Sequence, residues 1–263
     1  MFHGGYGFFD YKYNIAGYAG QDFGGFAQKL FLILSLIMTV ITLVLLRKSS
    51  KEKTHKIIKF ISLFLVLFYI IKTVWESYYD IKYTGSFNYG LLPLDTCSIV
   101  MYAGLISSFC KGNIHKYSDA WLVTGGIVGG IANMVIMNAF KYYPFLSFGA
   151  FYSMIWHLLM VILGLIMLSS NYVNASFDVL KKGFIFHFAF SIFVIIFDFV
   201  YKYDFMLYRE LGGIPIFESI ASKLTDANLQ FLNPIMMLLL YIVAFSIVLA
   251  PFYIKNKLSS KNK

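Results

Sequence analysis

Cys97 and His157 are the two side chains of this sequence best equipped for covalent chemistry, and both fall in surroundings where polar groups are rare. Cys97 closes the run Leu92-Pro93-Leu94-Asp95-Thr96-Cys97 at the head of one apolar stretch, and His157 sits in the middle of another. A thiol beside an imidazole is the smallest set of groups that can move an acyl chain. The imidazole draws off the thiol proton, the thiolate attacks an ester carbonyl, and the imidazolium protonates the departing alcohol. Asn133 or Thr96 could donate hydrogen bonds to the oxyanion of that step, and Asp95 or Asp198 could orient the imidazole. Glu76, Asn138 and His187 complete the short set of polar groups in or beside apolar runs. Each has a plainer use as well. A buried cysteine packs as a small apolar side chain, and acids near helix ends are solvated there. Cys110 and His115, at the far boundary of their stretches, are read as structural.

What must position these groups is a bundle immersed in lipid. Of the 263 residues, 59% are hydrophobic and only 13% charged, and the mean hydropathy is +0.70. A water-soluble domain carries about a quarter charged residues. Apolar segments run over 28–46, 57–75, 91–110, 120–138, 146–169, 183–201 and 231–253. Each is long enough to cross about 30 Å of hydrocarbon as a helix, the form that satisfies its own backbone there. The expected fold is all-α, a polytopic transmembrane helical bundle of about seven spans. Residues 1–27 form an extracellular N-terminal segment lacking the basic-then-apolar pattern of a signal peptide, 28–253 a single transmembrane helical domain, and 254–263 a cytoplasmic basic tail. Lys59 and Lys72, near the ends of the second segment, are placed to snorkel toward the interface. The fourth, with Gly125, Gly126, Gly129, Gly130 and Ala132, is expected to pack closely inside the bundle.

Orientation follows from the basic residues. With the N-terminus outside, 47–59, 111–119, 170–182 and 254–263 face the cytoplasm. They hold 14 of the 22 Lys and Arg with three acids, a net of +11 against −2 for the remainder. Because these charges lie between apolar runs and not along one face, the overall +9 points to membrane topology and sets nucleic acid aside as a partner. The excess of Lys over Arg, with abundant Ile, Phe, Tyr and Asn, is the composition of an AT-rich bacterial genome. The chain is expected in the cell membrane as a multi-pass protein whose partners are membrane lipids, with no cofactor and no metal. Cys97 and Cys110 fall on one helix about 20 Å apart, too far for a disulfide. The connection 202–230 contains Gly212, Gly213 and Pro215 before a mildly amphipathic Ile216–Leu224, and reads as an interfacial cap or as an ordinary loop.

Depth groups the polar residues. At 1.5 Å per helical residue, Cys97 lies about 9 Å and His157 about 16 Å below the outer boundary, with Asn133 and Asp198 within about 8 Å of it. Asp95, Cys97, Asn133, His157 and Asp198 therefore share the outer half of the bilayer. His187, about 21 Å down, is set apart.

The run Leu92-Pro93-Leu94-Asp95-Thr96-Cys97 resembles the Leu-Pro-Leu-His-Leu-Cys signature of the YwaF-like bacterial integral membrane proteins. The Gly-rich fourth segment and Phe151-Tyr152 ahead of His157 follow in the same order, and the similarity covers roughly 57–253. Eukaryotic relatives of that family are acyltransferases that remodel ether phospholipids through a Cys and a His. The resemblance implies Cys97 as the nucleophile and His157 as its base. One position departs: the family's His two residues before the Cys is Asp95 here.

The leading expectation is a membrane-embedded lipid acyltransferase or lipid hydrolase with a site facing the outer leaflet. Cys97 and His157 are catalytic in it, and Asp95, Thr96, Asn133 and Asp198 support them. A different class fits the same composition: a non-enzymatic small-molecule or lipid transport protein, similar to the substrate-binding subunit of a vitamin transporter. Against that reading, Leu30–Leu46 holds no Gly or Ala on which a partner helix could dock closely. A receptor-like seven-helix protein is a third possibility, and the absence of a deep Lys in the last segment counts against a retinal Schiff base.

Overall fold

The computed structural model describes residues 6–12, 24–135, 143–210 and 215–261. Asn138, Gly212 and Gly213 lie outside the described residues. The helices are α1 (Phe26–Leu46), α2 (Lys51–Thr84), α3 (Ile99–Phe109), α4 (Asn113–Trp121), α5 (Ile127–Val135), α6 (Phe148–Ser169), α7 (Phe177–Tyr201), α8 (Pro215–Asp226) and α9 (Asn233–Lys261). Among them α1, α2, α6, α7 and the stretch Gln230–Leu258, which holds most of α9, are long and apolar enough to cross a membrane. The protein is an all-α, polytopic membrane protein. Its outward faces carry Leu36, Leu45, Phe60 and Ile196, side chains that only a lipid surround leaves comfortably exposed.

Two segments are built differently from the rest. Thr96–Phe109 is a shorter apolar helix, a 3-10 turn over Thr96–Ser98 running straight into α3. The Gly-rich segment is α4 and α5 joined by a π turn at Leu122–Gly126, where Thr124 bonds back to the Ala120 carbonyl at 2.8 Å. Such turns widen a helix locally and often mark functional positions. The small residues do bring α5 and α6 into close contact. A Cβ at Gly130 would stand 2.8 Å from the carbonyl oxygen of His157, and one at Gly164 would stand 2.7 Å from that of Leu122.

At 34 residues, α2 is the longest helix. It would measure about 51 Å, so more than a third of it extends beyond about 30 Å of hydrocarbon. Ser50 starts it by accepting the Lys53 N–H at 3.2 Å, and Gly85 stops it in the left-handed region at φ 77°. The N-terminal segment leans on the projecting end, where Trp75 Nε1 and Tyr79 Oη each donate to the Phe9 carbonyl at 3.0 Å. Lys72 does not snorkel outward as its sequence position suggested. It turns inward to pair with Glu76, whose other carboxylate oxygen accepts from the Tyr143 hydroxyl. A buried carboxylate needs such a partner, and Lys72 is one turn away on the same helix.

The core that carries the site is formed where α3, the π turn, α6 and α9 meet, around Ile99, Trp121, Leu122, Leu163 and Phe245. At the C-terminal end of α5, Gln28 of α1 donates to the last described carbonyls, Met134 and Val135, at 3.3 Å each. That contact answers the unpaired carbonyls any helix end leaves behind.

Candidate functional site

Cys97 reaches the site through a break in the helical structure. Pro93 lacks an N–H and holds Leu92 extended, at ψ 144°, so the chain arrives at Thr96 in non-helical form. Backbone of that kind is tolerated in a membrane protein only when its polar groups are paired internally. Three aromatic side chains pair them. The Tyr69 hydroxyl donates to the Leu91 carbonyl, Tyr102 to that of Pro93 at 3.3 Å, and Trp156 Nε1 to that of Cys97 at 3.3 Å. Cys97 is thereby fixed on the first turn of its helix.

A cavity of about 630 Å³ adjoins it. Asp95, Thr96, Cys97, Asn133 and His157 all contribute to its wall, so the structure brings together five of the six residues singled out in the sequence. Asp198 is not among the lining residues. The thiol donates to the Gly129 carbonyl at 3.8 Å, and Asn133 Nδ2 stands 3.9 Å from the sulfur. His157 is buried, with Nδ1 2.7 Å from the Ser153 carbonyl oxygen one turn earlier on α6. A carbonyl only accepts, so Nδ1 carries the proton and Nε2 the lone pair. That Nε2 has no hydrogen-bond partner. The thiol and the imidazole are not hydrogen-bonded to each other.

The two carboxylates expected to orient the imidazole turn to backbone instead. Asp198 accepts the N–H of Phe205 at 3.0 Å, and Asp95 lies near the N–H of Met206. Met206 and Leu207 have φ of 58° and 62°, a left-handed conformation that side-chain-bearing residues adopt only when their surroundings enforce it. Asp204 completes the turn by accepting from the N–H groups of Arg209 and Glu210 at 2.7 and 3.0 Å. The partner of His157 is thus a backbone carbonyl, and the acids shape the cavity roof. Thr96 is also engaged, its hydroxyl 2.5 Å from that of Tyr241.

His187, set apart by depth, sits in a closed network. Trp121 Nε1 donates to its Nδ1 at 3.3 Å, so Nε2 bears the proton and gives it to Tyr208 Oη at 3.4 Å. Tyr208 and Ser191 lie 2.5 Å apart, and Ser191 returns a hydrogen bond to the His187 carbonyl at 2.8 Å. No lone pair is left over.

Sequence reasoning missed Lys72, Trp156, Asp204 and Tyr241 as wall residues. The Lys72–Glu76 spacing within an apolar helix was a usable signal for an inward-facing pair. Trp156 and Tyr241 carried none, because aromatic residues are common on lipid-facing and core-facing sides alike. Among the described residues, no group of three or more His, Cys, Asp or Glu side chains is arranged to hold a metal ion.

Residues 23–256 match the sequence profile of the TMEM164 family. The match extends the resemblance through α1 as well. No curated protein and no solved structure matches the chain.

Proposed function

The chain belongs to the TMEM164 family, and from that premise we propose that it is a membrane-embedded lipid acyltransferase, with Cys97 as nucleophile and His157 as general base. The observation that carries this reading is that His157, whose Nε2 lone pair has no hydrogen-bond partner, lines the cavity that Cys97 also lines. The helices are read as about seven crossings, counting Thr96–Phe109 and the α4–α5 segment, with the N-terminus outside and the C-terminus in the cytoplasm.

In the first half-reaction the thiol turns from the Gly129 carbonyl toward Nε2 and gives up its proton. The thiolate attacks the ester carbonyl carbon of a donor lipid. Asn133 Nδ2 donates to the resulting oxyanion, a role that Thr96, engaged with Tyr241, is less free to fill. As the tetrahedral adduct collapses, the carbon–oxygen bond breaks, the imidazolium protonates the departing alcohol, and the acyl group stays on Cys97 as a thioester. In the second half, Nε2 takes the proton of an acceptor hydroxyl, whose oxygen attacks the thioester. Cys97 leaves as thiolate and recovers the proton from the imidazolium. Water in place of the acceptor lipid gives hydrolysis by the same steps.

The test is mass spectrometry of purified protein after incubation with mixed phospholipids. An added, hydroxylamine-labile acyl mass on the peptide containing Cys97 is expected in the wild type and absent from Cys97→Ala. A wild type without that adduct, together with a functional Cys97→Ser protein, would leave a lipid-binding or transport role.

A further inference from the structure

The cavity beside Cys97 opens along α9. Val243 and Ile247 of α9 line it, yet they are 54% and 67% exposed. Met237, Leu240, Ala244 and Ile247 form a continuous strip at helical spacing, so the cavity follows α9 from Met237 to Ile247, about 15 Å. Val128 and Ala132 of α5 provide the facing wall. Ile247 lies about 21 Å along α9 from its first residue, deep within a span that crosses about 30 Å of hydrocarbon. The gap at Val243 and Ile247 therefore faces acyl chains and not water.

The opposite end is polar. Asn233, at the start of α9, donates to the Arg209 carbonyl at 2.7 Å, which sets that end beside the turn containing Asp204 and Met206. Asp95, Lys72 and Asp204 line the cavity there together with Met206 of the same turn. One cavity thus runs from charged groups, past Cys97, to an apolar slot open to the bilayer.

We propose that the gap between α5 and α9 is a lateral portal through which an acyl chain of a bilayer lipid enters to reach Cys97. It deepens the acyl-transfer reading and rests on it for the reacting ester. The walls are uncharged where the cavity meets the hydrocarbon, the polar groups lie at the other end, and the carbonyl of a lipid threaded this way falls between the two, where Cys97 sits.

The experiment uses the full chain in phosphatidylcholine vesicles containing a phospholipid with a photoactivatable group in its acyl chain. Cross-linking is expected to concentrate on the peptide carrying Val243–Ile247. Ala244→Trp, which fills the slot, should reduce it several-fold, and Ala132→Trp should do the same from the facing wall. Leu239→Trp, on an exposed face of α9 outside the cavity, should leave it unchanged. In the same variants, acylation of Cys97 from the vesicle lipid should fall while Cys97 still reacts with a small water-soluble thiol reagent. Cross-links spread evenly around α9, or unaffected by both slot-filling variants, would overturn the portal. A wild type that never acquires the acyl mass but cross-links as described would lose the transfer reaction and keep the portal.

Discussion

His157 gives its Nδ1 proton to the Ser153 carbonyl oxygen at 2.7 Å, and this one contact fixes which ring nitrogen is free. His187 is also buried in apolar surroundings, but both of its nitrogens are engaged, by Trp121 and by Tyr208. A neutral imidazole with one nitrogen tied back and the other bare is prepared to accept a proton. One with both nitrogens tied is prepared to stay as it is. These two buried histidines thus have different duties, set by their partners and not by burial, which they share.

Replacing His157 should stop proton transfer without disturbing the fold. His157→Ala is expected to slow acylation of Cys97 by about 10²–10⁴-fold, the usual contribution of a positioned base. Ser153→Ala should be close to silent, because the contact that sets the tautomer is to the backbone carbonyl, while the Ser153 hydroxyl stands farther off at 3.4 Å. Growth of the acyl mass with time measures both. An unaltered rate in His157→Ala would remove it as the base.

Tyr208→Phe tests the closed network. It leaves the His187 Nε2 proton without an acceptor and takes a partner from Ser191. A buried polar group left unsatisfied costs about 1–3 kcal/mol, so thermal unfolding in detergent should shift downward. Acylation per folded molecule should stay constant. A slower rate at unchanged folded fraction would instead bring His187 into the chemistry.

The way these residues are held explains which parts of the site were legible in the sequence. Cys97, Asn133 and His157 stood out because polar groups within apolar runs are rare, and depth alone placed them in one layer. Thr96 and Asp95 were found through their neighbourhood to Cys97 in a Pro-containing turn. What depth does not give is azimuth. Asp198 lies in the right layer, yet it points at the Phe205 N–H and not into the cavity. Lys72 was read as an interfacial cation because it stands near the end of an apolar run, but α2 continues past it to Thr84 and the side chain pairs inward. The third and fourth segments look alike in hydropathy to the others. Their short helix and π turn come from Pro93 and from Gly125–Gly126, which shape the backbone while adding little to a hydropathy profile.

Gly130 should be intolerant of a methyl group. The added carbon would meet the His157 carbonyl at 2.8 Å and Val161 Cγ2 at 2.7 Å, pushing α5 off α6. Overpacking of this sort costs about 1–3 kcal/mol, and here it also moves the backbone that carries the base. Gly130→Ala is expected to lower both thermal stability and the acylation rate. Gly126→Ala, whose nearest neighbours would be 3.8 Å away, should be tolerated. Equal behaviour of the two variants would contradict the close approach at Gly130.

The last prediction concerns which leaflet the site faces, and the two cysteines report it. They bracket the helix Thr96–Phe109, with Cys97 on its first turn and Cys110 just past its end. The rise along that helix separates them by about 20 Å, so they approach opposite boundaries of the membrane. Neither is in a disulfide; Cys97 is half-buried in the cavity and Cys110 is exposed. On exposure alone, Cys110 should react faster with any thiol reagent, because it is the more accessible of the two thiols. Single-cysteine variants, Cys97→Ala and Cys110→Ala, treated in intact cells with a membrane-impermeant maleimide reverse that order if the N-terminus is outside. Cys97 is labelled by way of the polar end of the cavity, and Cys110 is protected until the cells are opened, after which it becomes the faster of the two. Because the reversal runs against intrinsic accessibility, topology is the one property that produces it. Labelling of Cys110 and not Cys97 from outside would invert the orientation and turn the cavity toward the inner leaflet.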